Sequence, residues 1–225
     1  MLEPRQRWRM TVGRRADAPE LSQRETFTAW EDAVVASGLP VAVGDAAKPK
    51  PRLAFGAPLS VGLAAEAELI DVVLTERLPA WRVRAALTPH LPAGWTLEDL
   101  ADVWLGGPPL AGRVVAADYR VTLGGMSDAA ALEVAATELM EARALPRERV
   151  KGDGVVRYDL RPLLADVRVA EAGPPVVATI RTRFHPELGT GRPEEVVLAL
   201  GERVGVEVSV ERIVRERLVL ADELD

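Results

Sequence analysis

The side chains best suited to chemistry in this sequence are arginines at strand spacing. Arg5, Arg7 and Arg9 alternate with Trp8, Met10 and Val12, so the guanidinium groups share one face and the apolar groups the other, the period of a half-buried strand. Arg181 with Arg183, and Arg215 with Arg217, repeat the spacing later in the chain. Lys48 and Lys50 lie in a Lys-Pro-Lys-Pro loop, and Arg192 follows a Gly-Thr-Gly turn. Open sheet faces of this kind can follow RNA phosphates, which makes Arg5, Arg7, Arg9, Lys48, Lys50, Arg181, Arg183 and Arg192 the expected RNA or anion surface. The competing reading is cross-strand neutralisation by Glu207, Glu211 and Glu216.

Gly189-Thr190-Gly191-Arg192-Pro193-Glu194-Glu195 is a Gly-rich turn entering a helix. Its free N–H groups could receive a phosphate, but it lacks the Gly-Lys-Ser/Thr ending of a P-loop, and Glu194 and Glu195 suit the helix dipole and would repel an anion. The two histidines, His90 and His185, are the groups that titrate near neutral pH. His90 stands at a helix end, where a dipole role suffices. His185, with Arg183 and Arg192 nearby in sequence, is the one candidate general base, and it would serve a metal-independent RNA-cleaving enzyme. Two His, no Cys and no His-x3-His or Asp-x-Asp spacing give no metal site, and no cofactor is expected.

Composition narrows the classes further. The 225 residues carry 28 Lys+Arg against 34 Asp+Glu, a net charge of −6, which argues against indiscriminate coating of nucleic acid. The basic residues gather locally, with five arginines in residues 1–15 against Glu3 alone. Zero cysteine excludes a disulfide framework, a nucleophilic thiol and a Cys-ligated iron–sulfur cluster held by this chain. No apolar run is long enough for a membrane span, and Met1-Leu2-Glu3-Pro4-Arg5 has no signal-peptide core, so the expected location is the cytoplasm. Only Lys48, Lys50 and Lys151 are lysines, Asn is absent and Gln occurs only at 6 and 23, a skew that fits a heat-adapted host or coding bias.

These residues are positioned by elements whose order repeats. A strand over Arg5–Val12 precedes a helix from Gln23 to Ser37, opened by the capping box Ser22-Gln23-Arg24-Glu25 and closed by Gly38. Leu53–Ala57 and Leu69–Thr75 read as an antiparallel strand pair, Trp81–Leu87 as a short helix and Trp95–Trp104 as a strand before the Gly106-Gly107-Pro108-Pro109 linker. The second half offers a strand at Ala117–Leu123 and a helix at Asp128–Ala142 capped by Ser127. Strand material at Val155–Tyr158 and Val167–Ala170 around a Leu160–Leu164 turn or short helix follows, with a strand at Val176–Phe184, then a helix at Pro193–Val204 and a long strand at Val206–Leu220. Each half is β-α-β-β-α-β. The expected fold is α+β, with two tandem ferredoxin-like halves, residues 1–109 and 110–225, mostly antiparallel sheets and the halves packed as one compact unit. A single larger α+β sheet is the alternative.

Several stretches resemble the bacterial radical-SAM-linked protein family of unknown function, whose domain occurs alone or joined to a radical-SAM enzyme. The resemblance lies in Ser22-Gln23-Arg24-Glu25, Gly38-Leu39-Pro40, Pro49 with Pro51-Arg52-Leu53-Ala54-Phe55, and Glu68-Leu69-Ile70-Asp71-Val72. It continues through Ala117-Asp118-Tyr119-Arg120-Val121, Tyr158–Leu164 and Gly191–Val196, nearly the full length. The chain departs from the family at Gln23, where the family has His, at Glu25, where it has Asp, and at Ala46-Ala47-Lys48, where it has Gly-Phe-Asn. The resemblance implies a radical-SAM partner and marks Ser22, Gln23, Glu25, Pro49 and Arg52 as family-motif positions. The leading expectation is a non-catalytic binding or adaptor protein that presents RNA across its basic sheet face, with no membrane contact. The alternatives are the RNA-cleaving enzyme and a protein–protein interaction module with exposed strand edges.

Overall fold

A computed structural model describes residues 3–44, 46–125, 128–151, 154–171 and 175–223. The chain is α+β and divides into two compact units between Val114 and Val115. The first unit runs β1 (Gln6–Arg14), α1 (Gln23–Ala36), β2 (Leu53–Phe55), β3 (Ala64–Leu74), α2 (Ala80–Leu87) and β4 (Trp95–Val103). β1 is central: it pairs antiparallel with β3, Trp8 opposite Val72, and with β4, Trp8 opposite Asp102. β2 pairs antiparallel with β3 through Leu53 and Val72.

The strand order β2-β3-β1-β4 follows from what each strand must bury. Trp8, Met10 and Val12 of β1, Ile70, Val72 and Leu74 of β3, and Leu97 of β4 form one apolar face. Trp30 and Val34 of α1 and Val83 and Leu87 of α2 cover it. Trp30 is fully buried and meets Trp95 edge to face, with ring centroids 5.5 Å apart. The opposite face of β1 differs from the half-buried strand expected, because Arg7 and Arg9 are buried too. A buried charge needs a counter-charge, and β3 supplies one in Asp71.

The second unit runs β5 (Val114–Gly124), α3 (Ala129–Glu141), β6 (Pro146–Lys151), β7 (Gly154–Asp159), β8 (Leu164–Glu171), β9 (Val176–His185), β10 (Gly189–Thr190), α4 (Pro193–Val204) and β11 (Ser209–Leu220). β9 pairs antiparallel with β5, Asp118 opposite Arg181, and with β8, Asp166 opposite Arg181. β11 lies beside β5, so the order β8-β9-β5-β11 matches that of the first unit. β6 and β7 form a separate hairpin, and β10 makes a two-residue bridge to the end of β9. The expected cap Ser127 lies outside the described residues; Asp128 caps α3, its side chain accepting from the Ala131 N–H at 3.0 Å. Pro193 opens α4 and Gly205, at φ 77°, closes it in the left-handed conformation. Among the described residues no helix is long and apolar enough to cross a membrane.

Candidate functional site

The arginines of β1 converge on one carboxylate. Arg7 Nε donates to Asp71 Oδ2 at 2.7 Å, and Arg9 donates to both oxygens, Nε to Oδ1 at 2.8 Å and Nη2 to Oδ2 at 3.1 Å. The two remaining directions of Arg7 go to the carbonyls of Gly107 and Pro108, each at 3.1 Å. Arg7 and Arg9 therefore knit β1, β3 and the 107–108 loop together instead of facing a ligand. Arg5 is exposed at the start of the strand. Arg14, expected in the basic corner, is also buried and donates to the carbonyls of Leu63, Ala18 and Pro19.

The second unit carries an open groove of about 660 Å³. Arg168, Arg181 and Arg183 line it with Asp118, Asp166 and Glu216, beside Tyr119 and Phe184. Asp118 accepts from Arg181 Nη2 at 2.9 Å and from Arg217 Nε at 2.8 Å. Burial pushes the Asp118 carboxyl up, but the hydrogen bonds and charges of Arg181 and Arg217 outweigh it and hold the group below its ordinary value. The same contact holds Arg181 above its ordinary value. Arg168 pairs with Asp166 at 2.8 Å. Arg183 is different: it is exposed, and its Nη1 donates to the neutral carbonyls of Pro162 at 3.1 Å and Leu164 at 3.3 Å. Its charge is held in place and, among the described residues, no carboxylate pairs with it.

The other residues expected at a site are scattered. Lys50 pairs with Glu31 at 2.7 Å, while Lys48, Pro49 and Arg52 are exposed. Arg192 is the residue before α4, exposed and without a side-chain capping bond, and it does not line the groove. The Gly-rich turn has a packing reason: a β-carbon at Gly191 would sit 2.7 Å from the Leu163 carbonyl oxygen, and Gly189 has φ +90°. His185 Nδ1 accepts from the backbone N–H groups of Glu187 at 3.2 Å and Leu188 at 3.1 Å. A lone pair holding a turn is not free to take a substrate proton. His90 ends a short 3-10 turn and is exposed.

Of the family-motif positions, Ser22, Gln23 and Glu25 lie at the start of α1. Ser22 Oγ accepts from the Glu25 N–H at 3.3 Å while the Ser22 N–H donates to Glu25 Oε2 at 2.8 Å, the reciprocal capping box. Hydrogen bonding of the Ser22 hydroxyl and of the Ser22 backbone N–H to the carboxylate holds Glu25 below its ordinary value. Gln23 lines a narrow cleft of about 30 Å³ with Phe27, Phe55, Leu21 and the buried Arg14 and Glu68. Among the described residues no group of three or more His, Asp or Glu could hold a metal ion. The expected surface omitted Asp118 and Arg168. Alternation of Asp118 with Arg120, and of Asp166 with Arg168, is the sequence signal that marks them as members of charged strand faces.

Fold and site together define an α+β protein in which ion pairs link neighbouring antiparallel strands. The chain belongs to the family described as an uncharacterized protein conserved in bacteria (DUF2344), whose model matches residues 7–196. No curated protein matches it. Among solved structures, it is similar to a chain in the crystal structure of a Cbf5-Nop10-Gar1 complex, with a TM-score of 0.48 and 10% identity over 92% of this chain and 48% of that one. It is also similar to a chain in a structure of an H/ACA RNP bound to a substrate RNA containing 2′-deoxyuridine, with a TM-score of 0.43 and 14% identity over 92% of this chain and 47% of that one. The chain thus spans about half the length of these solved chains. Likeness at these scores carries no functional argument.

Proposed function

We propose that this chain is a non-catalytic binding or adaptor protein that contacts RNA through the groove of its second unit. Arg183 carries the reading: it is exposed in the groove, and two neutral carbonyls orient it without neutralising it. Arg181 and Arg168 flank it, each already paired to an acid, so an RNA phosphate meets Arg183 first and competes with Asp166 for Arg168. The contribution of Arg7 and Arg9 is structural. Each unit is read as a ferredoxin-like half, a reading supported by the order β2-β3-β1-β4 and its counterpart β8-β9-β5-β11. A radical-SAM enzyme as the partner rests on the motifs named above.

The test is fluorescence anisotropy of a labelled single-stranded RNA titrated with the full chain across a series of KCl concentrations. Binding should weaken as salt rises, and Arg183→Ala should lower the affinity and flatten the slope of log K against log salt by about 0.7, one phosphate on a single strand. Absent binding, or identical titrations for wild type and Arg183→Ala, overturn the reading. EDTA-resistant cleavage of the RNA that is lost in His185→Ala would instead establish the enzymatic alternative.

A further inference from the structure

We propose that Trp104, in the loop after β4, is a preformed stacking platform for an unpaired base of single-stranded RNA. The inference rests on the RNA-binding reading above and adds a second contact, in the first unit. Trp104 is 77% exposed, the most exposed large apolar side chain among the described residues.

The loop is built to hold that ring still. A β-carbon at Gly106 would sit 3.0 Å from Cζ2, 3.1 Å from Cε2 and 3.4 Å from Nε1 of Trp104, so the Gly106 backbone packs against the Nε1 edge of the indole. A β-carbon at Gly107 would lie 3.1 Å from the Trp104 carbonyl oxygen and 3.5 Å from Cε3. Glycine backbone thus lies close against the indole at two places, and the rest of the ring is exposed. Arg7, itself buried against Asp71, donates to the carbonyls of Gly107 and Pro108 and pins the loop from below. A rigid exposed ring loses little entropy on stacking, which is the value of fixing it in advance.

The surroundings suit a polyanion. Arg77 Nη2 lies 3.4 Å from Asp102 Oδ2, two residues before Trp104, and is itself exposed. Arg5, exposed, lies two residues before Arg7, whose partner in the β1–β4 register is Val103. The local acid Asp102 is engaged by Arg77 and by Gln6 Nε2 at 2.8 Å. Gln6 Oε1 also accepts the Leu78 N–H at 2.8 Å, so the start of α2, with Trp81 71% exposed, is fixed at the same end of the unit.

The decisive experiment titrates a fluorescein-labelled oligouridylate, roughly a dozen nucleotides long, with full-length wild type, Trp104→Ala, Trp104→Phe and Arg183→Ala, each at several KCl concentrations. Trp104→Ala should weaken binding about 5- to 150-fold, the effect of one lost base–aromatic stack, without changing the salt slope, because no phosphate contact is removed. Trp104→Phe should recover much of the loss, and melting temperatures should stay together because the ring is exposed. Wild-type affinity in Trp104→Ala alongside weakened Arg183→Ala overturns the stacking platform and leaves the groove standing. No binding by wild type overturns both. A partner protein released by Trp104→Ala while RNA binding is unchanged makes the ring a protein contact and overturns the assignment to RNA.

Discussion

Asp71 does more for the first unit than any other charged side chain, because two buried guanidinium groups depend on it. Asp71→Ala leaves Arg7 and Arg9 without a counter-charge and should cost about 3–5 kcal/mol, read as a lower midpoint in urea denaturation. A change below about 1 kcal/mol would mean that water or another group already compensates them. Arg183→Ala, at an exposed position, should shift stability by no more than about 0.5 kcal/mol, which separates binding from folding effects. Asp118 makes a pH prediction. Its folded pKa lies below its ordinary value, so its contribution is fully present above the unfolded value of about 3.9 and is lost as pH falls through the folded value. Glu195 has the opposite sign: burial raises its pKa against the charges of Arg149 and Arg147, so its contribution is present at low pH and lost as pH rises. Thermal melts from acid to neutral pH should therefore show an acid-side loss of stability that is smaller in Asp118→Asn than in wild type. Equal pH dependence in the two proteins would remove Asp118 from the account. At this scale the sequence placed Arg7 and Arg9 on one strand face but could not find Asp71, because only the β1–β3 register brings together residues that far apart. The same holds for His185, whose commitment to two backbone N–H groups depends on the turn after β9.

Elements with local chemical boundaries were legible. The capping box at Ser22 and Glu25 fixes the start of α1, and Pro193 with Gly205 bounds α4, because caps and stops act within a few residues. Elements defined by distant partners were not. β6, Pro146-Arg147-Glu148-Arg149-Val150-Lys151, has no apolar alternation and opens on proline, and it becomes a strand only by pairing with β7, Arg147 opposite Tyr158. β10 reads as a Gly-rich turn and is a strand for just two residues. β1 follows the predicted alternation, yet burial of its arginine face depends on the carboxylate that β3 supplies. The α1 cap gives a clean element-scale prediction. Ser22→Ala removes the acceptor for the Glu25 N–H and should destabilise by about 1 kcal/mol, whereas Ser22→Gly should cost only a few tenths. Equal losses for the two variants in urea denaturation would show that the hydroxyl contributes nothing at this helix start.

For the whole molecule, the sign of the charge limits what kind of RNA binding can occur. With 28 basic and 34 acidic residues and a net charge of −6, the chain as a whole repels a polyanion, and attraction must come from a few oriented cations. Many of the arginines are already neutralised: Arg7 and Arg9 by Asp71, Arg181 and Arg217 by Asp118, Arg120 by Glu216 and Arg168 by Asp166. If Arg183 and Arg5 supply most of the phosphate contacts, about two counterions are released and the slope of log K against log salt should be shallow, about −1.4 for a single strand. A basic coat would give a far steeper line. Stacking on Trp104 adds a part that salt does not screen, so measurable affinity should persist at about 0.5 M KCl in wild type and vanish there in Trp104→Ala. Titrations spanning low to high salt distinguish the two pictures. A slope steeper than about −5 would mean that the chain neutralises many more phosphates than its available cations allow, and the site would have to be sought elsewhere on the molecule.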